Sequence, residues 1–136
     1  MEENKTVCRE YLDAIGRGDA AGVRSCVTDD FVHVQLGTSS ASGRRDLQGV
    51  LELVEMLDQI TVSGVDFTFE SMTEERNRVA TLVTGKSELI GGGRYDNIYS
   101  ILFHLRDGRI FMMEELLDTK YLDTALAGVL GGIQTG

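Results

Sequence analysis

Apolar residues recur every three or four positions in the first part of the chain and at alternate positions in the last half. Val7, Cys8, Tyr11, Leu12 and Ile15 line one face of an amphipathic helix over about 3–16. Gly18-Asp19 supplies a stop and a new N-cap, and Ala20, Val23 and Val27 carry a short second helix to about 27. Asp29-Asp30 closes it, and Phe31-Val-His-Val-Gln-Leu36 reads as a short strand. The segment 37–43, small and polar throughout, is either a plain connector or a mobile lip over a pocket. Leu47, Val50, Leu51, Val54 and Leu57 then mark a third helix over about 44–59.

From there the period becomes two, with strands expected at about 62–73, 78–90, 94–106 and 109–117. Their breaks are Glu74-Glu-Arg-Asn77, Gly91-Gly-Gly93 and Asp107-Gly108. A short helix over about 119–129 closes the chain, and the ends, 1–3 and 131–136, are expected to fray. No repeat or linker divides the sequence, so 1–136 reads as one domain. Helices first and a long antiparallel meander afterwards predict an α+β fold with the helices on one face of a curved sheet.

Composition narrows the function classes. Hydrophobic residues make up 42% and the formal net charge is −9. A packed core is therefore available, and so acidic a surface disfavours nucleic acid and anionic membranes as partners. No apolar run approaches the roughly 18 residues of a membrane span, and the opening Met-Glu-Glu-Asn-Lys lacks the order of a signal peptide. Cys8 and Cys26 fall on helix faces without metal-ligand spacing and read as buried, reduced thiols of a cytoplasmic protein. No phosphate-binding glycine motif or nucleophile elbow appears, and two distant histidines offer no zinc site. The expectation is a protein without metal or cofactor.

Candidate chemistry depends on how the hairpin at Asp107-Gly108 is registered. A three-residue loop, Arg106-Asp107-Gly108, pairs Leu105 with Arg109, Phe103 with Phe111, Ile101 with Met113, Tyr99 with Glu115 and Asn97 with Leu117. One face then carries Asn97, Tyr99, Ile101, Phe103, Met113, Glu115 and Leu117. A two-residue turn would bring Glu114 and Asp118 to the Tyr99 face instead. Parity on the first strand groups His33 with Gln35 and Phe31. If those faces meet, an imidazole, a carboxamide, a phenol and a carboxylate converge among Met, Phe and Leu. Burial penalises the ionised form of a carboxylate, which suits proton transfer near neutral pH. Each residue also has a structural reading: Glu115 on a solvated face, Asp118 as a helix cap, His33 and Tyr99 as core residues. His104 falls on the opposite face.

Tyr11 ahead of Gly18-Asp19, Asp29-Asp30 before a strand, Tyr95-Asp-Asn97, and Asp107-Gly-Arg-Ile110 leading to Glu115-Leu-Leu-Asp-Thr119 resemble a SnoaL-like member of the nuclear-transport-factor-2-like superfamily. The resemblance spans about residues 2–128 and implies a cone-shaped sheet, cofactor-free chemistry and a symmetric dimer. Tyr11 matches the oxyanion-binding tyrosine of ketosteroid-isomerase-like proteins, but Gln35 stands where their base would be, and no carboxyl lies near Ser100. The water-holding positions of limonene-epoxide-hydrolase-like enzymes fall on His33, Gln35 and Glu115. Their acid pair falls near Leu82 and Thr84, and both of its members are lost. Asp118 is the nearest match to the aspartate of SnoaL-type polyketide cyclases.

Two function classes remain. One is an enzyme moving protons on a small, apolar, oxygenated compound, as an isomerase, cyclase or hydrolase. Glu115 or Asp118 would be its base and His33 the partner. Tyr11, Gln35, Asn97, Tyr99, Phe103, Met113 and Leu117 would hold the substrate. The other is a noncatalytic ligand-binding or assembly module, dimeric through its sheet face.

Overall fold

The computed structural model describes residues 2–118, 120, 122, 124 and 125. Helix α1 spans Glu2–Gly16, α2 Ala20–Cys26 and α3 Leu47–Ile60; strands are β1 Val27–Gln35, β2 Gly43–Asp46, β3 Asp66–Glu75, β4 Arg78–Lys86, β5 Asn97–Arg106 and β6 Arg109–Leu117. The periodic face of α1 is buried through Cys8, Tyr11, Leu12, Ala14 and Ile15. The helix stops where Gly18 takes φ +73° and Asp19 N–H reaches back to the Ala14 carbonyl at 2.8 Å. Asp19 then caps α2 by accepting from Gly22 N–H at 2.9 Å, and Asp46 caps α3 by accepting from Gly49 N–H at 2.9 Å. Each cap satisfies an amide that the first helical turn leaves without a partner.

The six strands form one curved, unclosed sheet in the order β2-β1-β6-β5-β4-β3. The meander β3 to β6 is antiparallel as expected, but β1 lies parallel to β6, so the sheet is mixed. Such a pairing joins segments some eighty residues apart and leaves no local sign in either. The α+β architecture of helices on one sheet face holds. Tyr11 packs on Phe31 and Phe103 at ring-centroid distances of 5.6 and 6.3 Å, joining α1 to the sheet.

Several boundaries differ from the sequence expectation. Residues 44–46, assigned to the third helix, belong instead to the edge strand β2. Residues 62–65 precede β3, where Val65 N–H binds the Gly16 carbonyl at 2.8 Å. A Cβ on Gly64 would come within 2.1 Å of that same oxygen, so glycine is required for the approach. Residues 87–96 leave the sheet as a small arm held by Ser87 Oγ donating to the Tyr95 carbonyl at 2.7 Å and by a bridge between Thr61 and Leu89. Lys120, Leu122, Thr124 and Ala125 are helical, and Leu122 N–H binds the Asp118 carbonyl at 3.1 Å. The rest of the expected last helix and the ends at 1 and 131–136 lie outside the described residues.

Candidate active site

The β5–β6 turn is a two-residue one, not the three-residue loop expected. Arg106 pairs with Arg109, and Asp107 and Gly108 take φ +53° and +78°. Two successive left-handed residues make the mirror-image turn that matches strand twist. That turn alone would have sent Glu114 and Asp118 to the inner face. The register shifts again one step later: Leu105 pairs with Ile110 but His104 with Met112, leaving Phe111 as an extra residue on β6. The bulge restores the parity that the shorter turn removed. Phe111 is held on the outside beneath the Arg106 guanidinium, 4.9 Å from its ring centre. Phe103 consequently faces Met113, Ile101 faces Glu115 and Tyr99 faces Leu117. The inner-face set is the expected one, although each cross-strand partner differs.

The parallel contact with β1 completes the cluster. Gln35 lies beside Glu115 and His33 beside Met113 in register, and His33 Nε2 meets Glu115 Oε1 at 3.3 Å. His33, Gln35 and Glu115 are only 4%, 6% and 9% exposed. Gln35 Nε2 is buried with no hydrogen-bond partner among the described residues, a state that costs about 1–3 kcal/mol unless something else accepts from it. These groups border a cavity of about 390 Å³ between the helices and the sheet, with Tyr11, Tyr99, Met113 and Leu117 also in its wall. Leu53, Met56 and Ile60 of α3 form much of the opposite side. Burial pushes the Tyr11 phenol well above its ordinary range, with nearby Glu115 adding to the effect. Tyr99 is raised chiefly by burial and further by Tyr95 and Glu115. Both phenols therefore remain protonated donors.

The other candidates sit elsewhere. Phe103 is fully buried in the core and does not border the cavity. Asn97 is a clamp: its Nδ2 donates to Tyr95 Oη at 2.8 Å and to the Asp118 carbonyl at 3.3 Å, and its Oδ1 accepts from Asp118 N–H at 3.3 Å. It fixes the end of β6 next to Glu115. Asp118 is exposed, outside the cavity wall, at the start of the last helix. His104 bonds Glu114 at 2.6 Å on the outer face, as parity requires. Among the described residues no group of three or more His, Cys, Asp or Glu could hold a metal ion, and no helix is long and apolar enough to cross a membrane. Cys8 and Cys26 are free and buried. Arg45 and Tyr95, both in the cavity wall, were not among the site residues expected from the sequence. The signal for Arg45 was its place opposite His33, visible only once β2 is recognised as a strand.

Helices covering one face of a curved sheet, with a cavity between them, define the nuclear-transport-factor-2-like class of α+β domains. Residues 8–113 match the SnoaL-like domain, and the chain belongs to that family. Solved structures agree in fold. PrhC from Penicillium brasilianum is similar with a TM-score of 0.84 at 18% identity, over 98% of this chain and 91% of that one. IdmH from Streptomyces antibioticus, described as a putative polyketide cyclase, gives 0.75 at 18% over 91% and 98%. AclR from Streptomyces galilaeus, described as a putative hydroxylase, gives 0.76 at 20% over 93% and 86%. Identity this low carries the likeness of fold alone. No sequence among the curated proteins matches.

Proposed function

We propose that this protein is a small-molecule enzyme performing cofactor-independent acid–base chemistry of the isomerase, cyclase or hydrolase type on an apolar, oxygenated compound. The observation that carries the proposal is the buried His33–Glu115 contact on the cavity wall, beside an amide donor with no partner among the described residues. Glu115 takes a proton from a carbon next to a carbonyl, or from water. His33 orients that carboxylate and shares its proton. Gln35 and the neutral phenols of Tyr11 and Tyr99 donate to substrate oxygen as negative charge develops there, where a dry, preorganised site makes such bonds most effective. Leu12, Met56 and Leu117 receive the carbon skeleton. The proposal extends to a homodimer through the outer sheet face. Leu82 and Leu116 flank Ser100 in one row across three strands there, with Ile98 in the next, all three apolar side chains exposed.

A screen against enolisable ketones, lactones and epoxides tests the chemistry. Glu115→Gln should lower turnover by about 10²–10⁴-fold, the usual contribution of a general base, and Gln35→Ala should weaken it further. Turnover lost only in Asp118→Asn moves the base to that residue. Saturable binding with no turnover of any compound identifies a binding module instead. Sedimentation velocity of Leu116→Lys against the parent tests the dimer, which the added charge should dissociate.

A further inference from the structure

We infer that the cavity selects ligands bearing a carboxylate, which Arg45 recognises from the edge strand β2. This deepens the acid–base proposal and rests on the same cavity. Arg45 is the cross-strand partner of His33, and Gln35 pairs with Gly43 on the same two strands. Arg45 and Gln35 are therefore diagonal neighbours on one sheet face, about 7–8 Å apart at the backbone. Both border the cavity. Arg45 Nη2 donates to the Ala41 carbonyl at 2.9 Å, which anchors one side of the guanidinium fork. Its Nη1 is buried and has no hydrogen-bond partner among the described residues. No ion pair there involves Arg45: Glu52 also borders the cavity but is exposed and is not bonded to it. The stem is accommodated by design of the neighbouring helix, since a Cβ on Gly49 would lie 3.2 Å from Arg45 Cβ.

Among the described residues, a half-buried cation without a counter-ion and an almost fully buried amide donor without an acceptor share one wall. Each carries a desolvation cost that those residues leave uncompensated. A ligand with two acceptor oxygens and a negative charge compensates both, and a planar carboxylate matches the guanidinium fork. Because both nitrogens are covered, binding requires rotation about the last side-chain torsions. Leu53, Met56 and Ile60 then face the ligand's hydrocarbon, so the class is a monocarboxylate with an apolar body.

The test uses two acids with their uncharged amide analogues: 2-naphthylacetate and 2-naphthylacetamide, 4-phenylbutyrate and 4-phenylbutyramide. Titration calorimetry on the full chain should show the acids binding at least about tenfold tighter than the amides, as a charge-assisted bond implies. Arg45→Met should erase that ratio, and Arg45→Lys should keep part of it. Gln35→Leu should weaken acid and amide alike. Arg45→Gln, with circular dichroism on every variant, guards against a folding defect. Equal affinity for acids and amides in the parent protein overturns the inference, as does a ratio that survives in both Arg45→Met and Arg45→Gln, or failure of both acids to bind. Glu115→Gln, run in parallel, should retain the preference for acids. Loss of turnover there bears on the acid–base proposal alone, so the two can fail separately.

Discussion

The contact between His33 and Glu115 can be weighed by a double-mutant cycle on folding stability. Both side chains are nearly inaccessible to water, and they meet at 3.3 Å among Met113, Tyr11 and Leu117. Replacing Glu115 with Leu keeps the volume but leaves the imidazole without its acceptor, and His33→Leu strands the carboxylate. A buried polar group deprived of its partner costs about 1–3 kcal/mol, and more where a charge is left bare. The double variant removes both groups at once, and apolar substitutes for a buried polar pair are often neutral or stabilising. The expected result is two destabilised singles and a double near the parent, so that the coupling energy equals the sum of the two single costs, about 2–6 kcal/mol. In a chain of this size that corresponds to roughly 3–5 °C in Tm per kcal/mol. Urea unfolding of the four proteins, followed by circular dichroism, supplies the energies. Strictly additive effects, or singles as stable as the parent, would falsify the claim that the two groups interact in a dry setting. The double variant should also be inactive in any assay the parent supports, since stability regained by removing polar groups comes at the expense of the site.

Three further outcomes follow from the geometry. Deleting Phe111 should turn the bulge into a regular ladder that keeps Phe103 opposite Met113 and Ile101 opposite Glu115, so circular dichroism and refolding yield should report a folded protein. An alanine inserted between Met112 and Met113 should instead turn Met113, Glu115 and Leu117 outward and abolish folding. Gly64→Ala places a Cβ 2.1 Å from the Gly16 carbonyl oxygen at φ +82° and should cost more than about 1 kcal/mol. Gly91→Ala, with positive φ but open space around it, should cost less in the same denaturant titration. Finally, Tyr11 and Tyr99 are raised above their ordinary value of 10.0 by burial. The folded state then holds protons that the unfolded state releases, so stability is intact below pH 10 and falls as pH rises beyond it. Absorbance at 295 nm should show at least two phenols ionising only together with unfolding, and Tyr11→Phe should reduce the alkaline loss.

Alternation along single strands was enough to group Tyr99 with Ile101 and Phe103, and Met113 with Glu115 and Leu117, because side-chain direction is a local property of the backbone. That the two groups share a face was reached through a three-residue loop that the structure replaces. Helical spacing likewise marked the buried faces of α1 and α3, and Asp19 supplied its cap from sequence position alone. The actual route to the inner-face set was not legible. A shorter turn and an extra residue at Phe111 cancel, and only the packing of both strands against their neighbours selects that combination. The parallel seating of β1 on β6 belongs to the tertiary structure too, and it alone brings His33 and Gln35 to Glu115. Gly-Arg-Arg-Asp, polar and only four residues long, becomes the strand β2 solely because β1 offers it an unpaired edge. Arg45 therefore stood hidden in a segment whose own pattern pointed to a helix. Local periodicity records which way a side chain faces; which side chains it meets is settled by pairings between distant segments, whose free energy exists only when the whole sheet is assembled.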